Sequence, residues 1–285
     1  MVTKETFDTK LSPHWCPGCG DYGAWRATKM ALASLGLEPH QVLIVSGIGN
    51  AGKMPHWVRT YGFHGLHGRP LPVAQGAKLA NHELTVLVVG GDGDGYGEGM
   101  SHFIHACRRN SDMTYIILNN GVYALTTGQV SPTSEKGFVS KSTPEGSPET
   151  PINPLALAIA AGATFVARGY TGKTEHLAKL IVEGVRHRGF AFLDVFQPCV
   201  VFNKVNTYKW YNERVYLLEK EYDPADRAGA FQKAYEWGDR IPLGVIYREE
   251  GKPTLEDETP QIAKGPLVRQ PLKGIDVRPL MEQLL

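Results

Sequence analysis

Five short, almost uninterrupted apolar runs punctuate the first 200 positions, at residues 42–45, 85–89, 115–118, 164–167 and 192–196. A strand with one wet face alternates apolar and polar residues, so runs without alternation belong to strands covered on both faces, as in a parallel sheet. Between them lie segments of helical character at residues 23–35, 71–81, 98–108, 154–161 and 173–188. This alternation predicts an α/β chain folded as a doubly wound, mostly parallel sheet. Such sheets bind ligands at the carboxyl ends of their strands, so chemistry is sought in the loops that follow the five runs. Two stretches break the rhythm. Residues 131–154 are rich in Ser, Thr, Pro and Gly and read as a long surface loop, of a length that is usually functional or disordered. From about Val200 the chain turns aromatic and charged. Residues 201–285 are therefore expected to form a C-terminal extension, packed on the main domain of residues 1–200 or on a partner subunit. No internal repeat is visible.

Composition narrows the classes. The 285 residues carry 30 basic and 29 acidic side chains, a net charge of +1, which lacks the electrostatic footprint of a nucleic-acid binder. A hydrophobic content of 42% is that of a globular core, and no apolar run reaches the roughly 20 residues of a membrane span. The first ten residues mix charged and polar groups, unlike a secretory leader. Four cysteines, two of them in a CxxC, make a poor disulfide framework and a reasonable metal or redox set. The expectation is a soluble cytoplasmic protein with neither nucleic acid nor membrane as partner.

The strongest local signal is Gly91-Asp92-Gly93-Asp94-Gly95, directly after one apolar run, with Asn119-Asn120-Gly121 directly after the next. Asp92 and Asn120 thus sit at the ends of successive strands. Two hard oxygen ligands so placed can share one Mg²⁺, with phosphate and water oxygens completing an octahedron. The glycines let backbone approach a diphosphate. This pair, with 25 residues between Gly93 and Asn119, resembles the diphosphate motif of the thiamine diphosphate fold; the resemblance implies Asp92, Asn120 and the Val122 carbonyl as Mg²⁺ ligands. A competing motif, Gly47-Ile48-Gly49-Asn50-Ala51-Gly52, fits the dinucleotide fingerprint G-x-G-x-x-G. That fingerprint must open a helix and be followed about 20 residues on by an acid. Pro55 interrupts the would-be helix and the next acid is Glu83, so a nicotinamide or flavin site is not expected here.

Cys16 and Cys19 form the CxxC of HWCPGCGDYG. On spacing alone it is a redox dithiol, half a zinc site or part of an iron–sulfur site. No second CxxC or Cys/His pair completes a zinc ribbon, and no strand pattern precedes it as in a thioredoxin-like protein. Cys199 follows another apolar run, whereas Cys107 lies in a helical stretch and reads as a small core residue. His102 and His105 share a helical face without a carboxylate neighbour and read as structural.

HWCPGCGDYG, SGIGN, LHGRPLPVAQGAKLAN, GGDGDGYGEG with HFIHACRRN, NNGVYALTTGQVSPTS and FQPCVVFNKVNTYKWYNERVY occur in one consistent order, spanning residues 8 to about 245. Together they resemble the β subunit of a two-subunit 2-oxoacid:ferredoxin oxidoreductase acting on 2-oxoglutarate, pyruvate or a similar acid. The resemblance implies the diphosphate-binding type of thiamine diphosphate fold, thiamine diphosphate, Mg²⁺ and one [4Fe–4S] cluster. It implies coenzyme A-dependent oxidative decarboxylation of a 2-oxoacid, with an α (or α/γ) subunit as partner and ferredoxin as electron acceptor. It further implies that Ile48, Gly49, Asn50, Ala51, His67, Gly93, Asp94, Ala124 and Leu125 line the cofactor, His67 in a catalytic role. The family's glutamate against the aminopyrimidine ring comes from the partner subunit, so the chain alone is expected to be inactive.

Two departures from the family pattern stand out. Cys16, Cys19 and Cys199 match three of four cluster cysteines, but the fourth, in the family's S-G-I-G-C, is Asn50 here. A [4Fe–4S] cluster with a weak fourth ligand, a [3Fe–4S] cluster and no cluster are all open. Related sequences often carry Lys in L-T-K-G-Q, near the substrate's far end; here the residue is Thr127, which offers a distal carboxylate one neutral hydrogen bond in place of an ion pair. The rival readings are a thiamine diphosphate decarboxylase subunit without a working cluster and a non-catalytic scaffold subunit.

Overall fold

The computed structural model describes residues 2–271 and 276–284. In chain order its strands are β1 (Val42–Ser46), β2 (Tyr61–His64), β3 (Thr85–Gly91), β4 (Met113–Asn119), β5 (Val122–Tyr123), β6 (Gln129–Val130), β7 (Phe165–Tyr170), β8 (Phe190–Phe196), β9 (Val215–Leu217) and β10 (Ile241–Arg248). The helices are α1 (Asp21–Ser34), α2 (Met54–Trp57), α3 (Pro70–Ala80), α4 (Met100–Arg109), α5 (Pro154–Ala160), α6 (Thr174–Arg186), α7 (Tyr208–Asn212), α8 (Arg227–Tyr235) and α9 (Arg278–Glu282). None of the described helices is long and apolar enough to cross a membrane.

Eight strands form one sheet in the order β2-β1-β3-β4-β8-β7-β10-β9. Pairing is parallel from β2 to β7, turns antiparallel at β7–β10 and is parallel again at β10–β9. The continuous apolar runs are explained by two cores, one on each face. Leu87, Val89, Ile116, Leu118, Leu193 and Val195 pack with α1 and α6, while Val86, Val88, Tyr115, Ile117 and Phe192 pack with α3, α4 and α5. Cys107 is fully buried in the second core, as a small core residue should be.

All five expected strands and all five helical segments are present, with ends shifted by a few residues. Beyond Val200, where the sequence shows no strand–helix rhythm, the chain forms α7, β9, α8 and β10, and β10 and β9 extend the same sheet. Antiparallel pairing with β7 hides β10 from a search for βαβ units, and Pro242 and Gly244 blur its strand pattern. Residues 131–153 contain no helix or strand, yet Ser131, Ser134, Phe138 and Ser147 are buried.

After β1 the chain leads to β2 on one side; after β3 it leads to β4 on the other. The carboxyl ends of β1 and β3 therefore flank a topological switch point, where open α/β sheets bind ligands.

Candidate active site

The loops leaving β1 and β3 face each other across that crevice. Ile48, Gly49, Asn50 and Ala51 come from the first loop and Asp92, Gly93 and Asp94 from the second, with His67, Asn120, Val122, Ala124 and Leu125 closing the cleft. Every residue expected to touch the cofactor or Mg²⁺ lines this one cleft. Thr127 and the three cysteines expected to hold a cluster do not. The glycine loop after β1 opens only one turn of 3₁₀ helix and the four-residue α2, too little helix for a dinucleotide fingerprint.

Asp92 is buried at the end of β3. Its Oδ2 lies 2.5 Å from Ser131 Oγ and 2.7 Å from Thr133 Oγ1, and its Oδ1 accepts from the Asn120 N–H at 3.4 Å. Burial pushes its carboxyl above the usual range; the two hydroxyls and the amide pull it back. Two hydroxyls and an amide, rather than a cationic side chain, hold this carboxylate, a setting in which a divalent cation would be strongly favoured. The Asn120 side chain is fixed at both ends, Oδ1 accepting from the Val122 N–H at 3.1 Å and Nδ2 donating to Gln197 Oε1 at 2.9 Å. Its amide oxygen keeps a second lone pair for a ligand. A Cβ on Gly93 would come within 2.3 Å of the Tyr123 ring, so any larger residue there would have to displace that ring from the cleft wall.

Asp94 lines the cleft but serves chiefly as a brace. Its Oδ1 takes the Ile48 N–H at 2.9 Å, the Gly68 N–H at 2.8 Å and His67 Nδ1 at 2.7 Å. Its Oδ2 is buried without a partner, in the space that a Cβ on Gly47 would fill at 1.9 Å. One carboxylate thus ties the β1 loop to the His67 loop. With Nδ1 on Asp94, His67 has Nε2 remaining for a ligand, 3.5 Å from Glu98 Oε2.

Residues 42–195 match the thiamine pyrophosphate (thiamine diphosphate) enzyme family, C-terminal TPP-binding domain, and residues 199–264 match the C-terminal family of the pyruvate ferredoxin oxidoreductase β chain. The 2-oxoacid:ferredoxin oxidoreductase subunit beta of Saccharolobus solfataricus is 47% identical over 255 residues, covering 85% of this chain and 84% of that protein. The chain belongs to the family of 2-oxoacid:ferredoxin oxidoreductase β subunits. Subunit beta of the Aeropyrum pernix 2-oxoacid:ferredoxin oxidoreductase 1 is 43% identical over 98% of this chain and 89% of its own length. The 2-oxoglutarate:ferredoxin oxidoreductase of Magnetococcus marinus, solved with 2-oxoglutarate, coenzyme A and succinyl-CoA bound, superposes with a TM-score of 0.92 at 36% identity, covering 99% of this chain and 96% of that one.

The three cysteines expected to hold a cluster lie outside this cleft. The CxxC turn closes through Cys19 N–H to the Cys16 carbonyl at 2.9 Å and leans on the segment after β8 through Gly20 N–H to the Pro198 carbonyl at 3.3 Å. Asn50 reaches the same region, its carbonyl accepting from Trp15 Nε1 at 2.9 Å. Two of the three sulfurs receive N–H donors, Cys19 Sγ from Gln197 Nε2 at 3.3 Å and Cys199 Sγ from the Phe202 N–H at 3.4 Å. Such donors suit thiolates bound to iron. Against this, no three His, Cys, Asp or Glu side chains among the described residues converge as a metal-holding group. Burial and the neighbouring Asp21 charge push the Cys19 thiol far up.

Two contributions escaped sequence reasoning. Ser131 and Thr133 lie 39 and 41 residues beyond Asp92, in the loop whose length signalled function without naming residues. Gln197 joins Asn120 to Cys19; its only signal was its place in the FQPC block.

Proposed function

We propose that this chain is the cofactor-holding β subunit of an enzyme catalysing coenzyme A-dependent oxidative decarboxylation of a 2-oxoacid to acyl-CoA and CO₂, with two electrons leaving singly to ferredoxin. The observation that carries this reading is the convergence of Asp92, Asn120 and Val122 with the Ile48–Ala51 and His67 loops in one cleft at the switch point. Asp92 Oδ, Asn120 Oδ1 and the Val122 carbonyl would hold Mg²⁺, and the Gly93 backbone would lie against the diphosphate. Bound thiamine diphosphate supplies an electron sink at the carbon that loses CO₂. The chain's part is to anchor the cofactor's diphosphate end and to offer His67 Nε2 as a hydrogen-bonding group oriented by Asp94. Cys16, Cys19 and Cys199 would hold an iron–sulfur cluster with Asn50 at the fourth position. Thr127 in place of a lysine leaves the 2-oxoacid class open to uncharged as well as acidic tails.

The cleft, about 90 Å³ in volume, is far below the roughly 300–1,000 Å³ that encloses a cofactor-sized ligand. This supports a site completed by an α (or α/γ) subunit. All four cysteines are free, which suits a reducing cytoplasm. A turnover assay tests the whole reading. The chain mixed with its partner subunit should reduce ferredoxin in a 2-oxoacid- and coenzyme A-dependent way, and the chain alone should not. Robust turnover by the chain alone would overturn the shared site; absence of iron from an active complex would favour a decarboxylase without a cluster.

A further inference from the structure

The segments that carry the three cluster cysteines and Asn50 share a charge pattern that the cofactor cleft does not explain. No acidic residue occurs between Asp8 and Asp21, between Glu38 and Glu83, or between Asp194 and Glu213. These stretches hold Cys16 with Cys19, Asn50, and Cys199 respectively. In a chain with 30 basic and 29 acidic side chains, such an asymmetry is local. The acids bordering the first and third stretches are also withdrawn. Asp21 and Asp194 are buried, Asp8 pairs with Lys29, and Glu213 lies 3.3 Å from Arg214 and 3.9 Å from Lys209. Glu135, from the long loop, accepts from Asn206 Nδ2 at 3.0 Å. The Asn50 carbonyl accepts both from Trp15 Nε1 at 2.9 Å and from the Lys53 N–H at 3.2 Å, which brings the second stretch against the first.

The same surface has an apolar centre. After Cys199 the chain folds into a tight turn, the Asn203 N–H donating to the Cys199 carbonyl at 3.2 Å and Lys204 Nζ to the Val200 carbonyl. Val200 lies against the CxxC turn, 3.6 Å from where a Cβ on Gly18 would stand. Next to it Val201 and Val205 are 42% and 47% exposed. Lys204 is exposed, and the Lys209 side chain is 87% exposed at the start of α7. Cys16 is exposed, whereas the other three cysteines are buried. An apolar centre with a cationic rim suits an electrostatically steered partner of opposite charge. We propose that the surface formed by Cys16, Val201 and Val205, rimmed by Lys204 and Lys209, docks an acidic one-electron carrier of the ferredoxin type. This rests on the function proposed above: single-electron transfer falls off steeply with distance, so the carrier must seat where the cysteine region reaches solvent.

The test titrates an oxidised, acidic ferredoxin calorimetrically into the full chain in complex with its partner subunit. Saturable binding is expected, weakening as salt rises. Lys204→Glu combined with Lys209→Glu should weaken it by about tenfold, while Lys204→Arg retains it. Val201→Asp, at the apolar centre, should weaken it comparably. Arg108→Glu combined with Arg109→Glu makes the same change of charge on α4, which packs on the opposite face of the sheet from Cys19, and should leave binding unchanged. With methyl viologen, a small acceptor that needs no docking surface, 2-oxoacid-dependent turnover of the variants should equal that of the native complex. A native complex that cannot reduce viologen would defeat the proposed function and this surface with it. Viologen reduction alongside ferredoxin binding indifferent to the Lys204, Lys209 and Val201 variants would overturn the surface alone. Equal weakening by the α4 pair would reduce the effect to net charge, and variants that no longer assemble would give the surface to the partner subunit; either result overturns the proposal.

Discussion

Thr127 is a β-branched residue held at φ +80°, followed by Gly128 at φ +100°, in the turn joining β5 to β6 beside the cofactor cleft. The left-handed region costs a non-glycine residue roughly 1–2 kcal/mol, part of which glycine would return as unfolded-state entropy. Thr127→Gly should therefore raise stability in denaturant by about 0.5–1 kcal/mol; no gain would show that the turn is not strained there. Strain beside a ligand cleft is commonly retained for function, so reduced turnover should accompany the gain. Gln197 offers a second test at this scale. Gln197→Leu removes both the brace on Asn120 and the N–H donor to Cys19, so thiamine diphosphate should bind about tenfold more weakly and the cluster's reduction potential should fall. Calorimetry and an EPR-monitored redox titration check the two parts, and unchanged values would make Gln197 a bystander. Asp92 and Asn120 were legible because each lies within three residues of the end of an apolar run, and Val122 only through the resemblance, which places a metal-binding carbonyl two residues beyond Asn120. Ser131 and Thr133 were not, because only tertiary closure of a long loop brings their hydroxyls to Asp92.

Interior elements were legible where burial on both faces erased alternation. β3, β4 and β8 read as continuous apolar runs for that reason, whereas all four residues of edge strand β2 are exposed and gave no signal. β9 and β10 were hidden by short length and antiparallel pairing. β8 also carries the one acid inside an apolar run, Asp194, whose carboxyl burial pushes up to about 6 against an ordinary value of 3.8. The native state therefore holds this proton where the unfolded chain has lost it, and stability falls as pH rises from about 4 through 6. Asp194→Asn lacks that term. The stability advantage of the native sequence over the variant should thus be about 1 kcal/mol larger at pH 5 than at pH 8, since one pKa unit corresponds to ~1.4 kcal/mol. Thermal unfolding of both proteins at the two pH values measures the difference, and an equal or opposite change would place the Asp194 pKa near its ordinary value.

At the scale of the molecule, the sheet brings three sequence-distant segments, the loops after β1, β3 and β4, to one edge, and the small cleft they form calls for a second subunit. The cysteine region is the less complete half, with two sulfurs receiving N–H donors and Asn50 at the family's fourth cysteine position. The anaerobically purified complex should contain iron and acid-labile sulfide, with an EPR signature separating a three-iron from a four-iron cluster. A complex free of iron would retire electron transfer through these cysteines and leave the thiamine diphosphate site standing. That site is the central claim, and Asp92→Ala in the assembled complex tests it most directly. Removing a buried carboxylate held only by hydroxyls and an amide should leave the fold intact. Calorimetry should then find Mg²⁺-dependent thiamine diphosphate binding in the native complex and a loss of about 100-fold or more in the variant, beyond the roughly 10–100-fold typical of groups that merely support a ligand. Unchanged affinity in a folded Asp92→Ala complex would contradict the account.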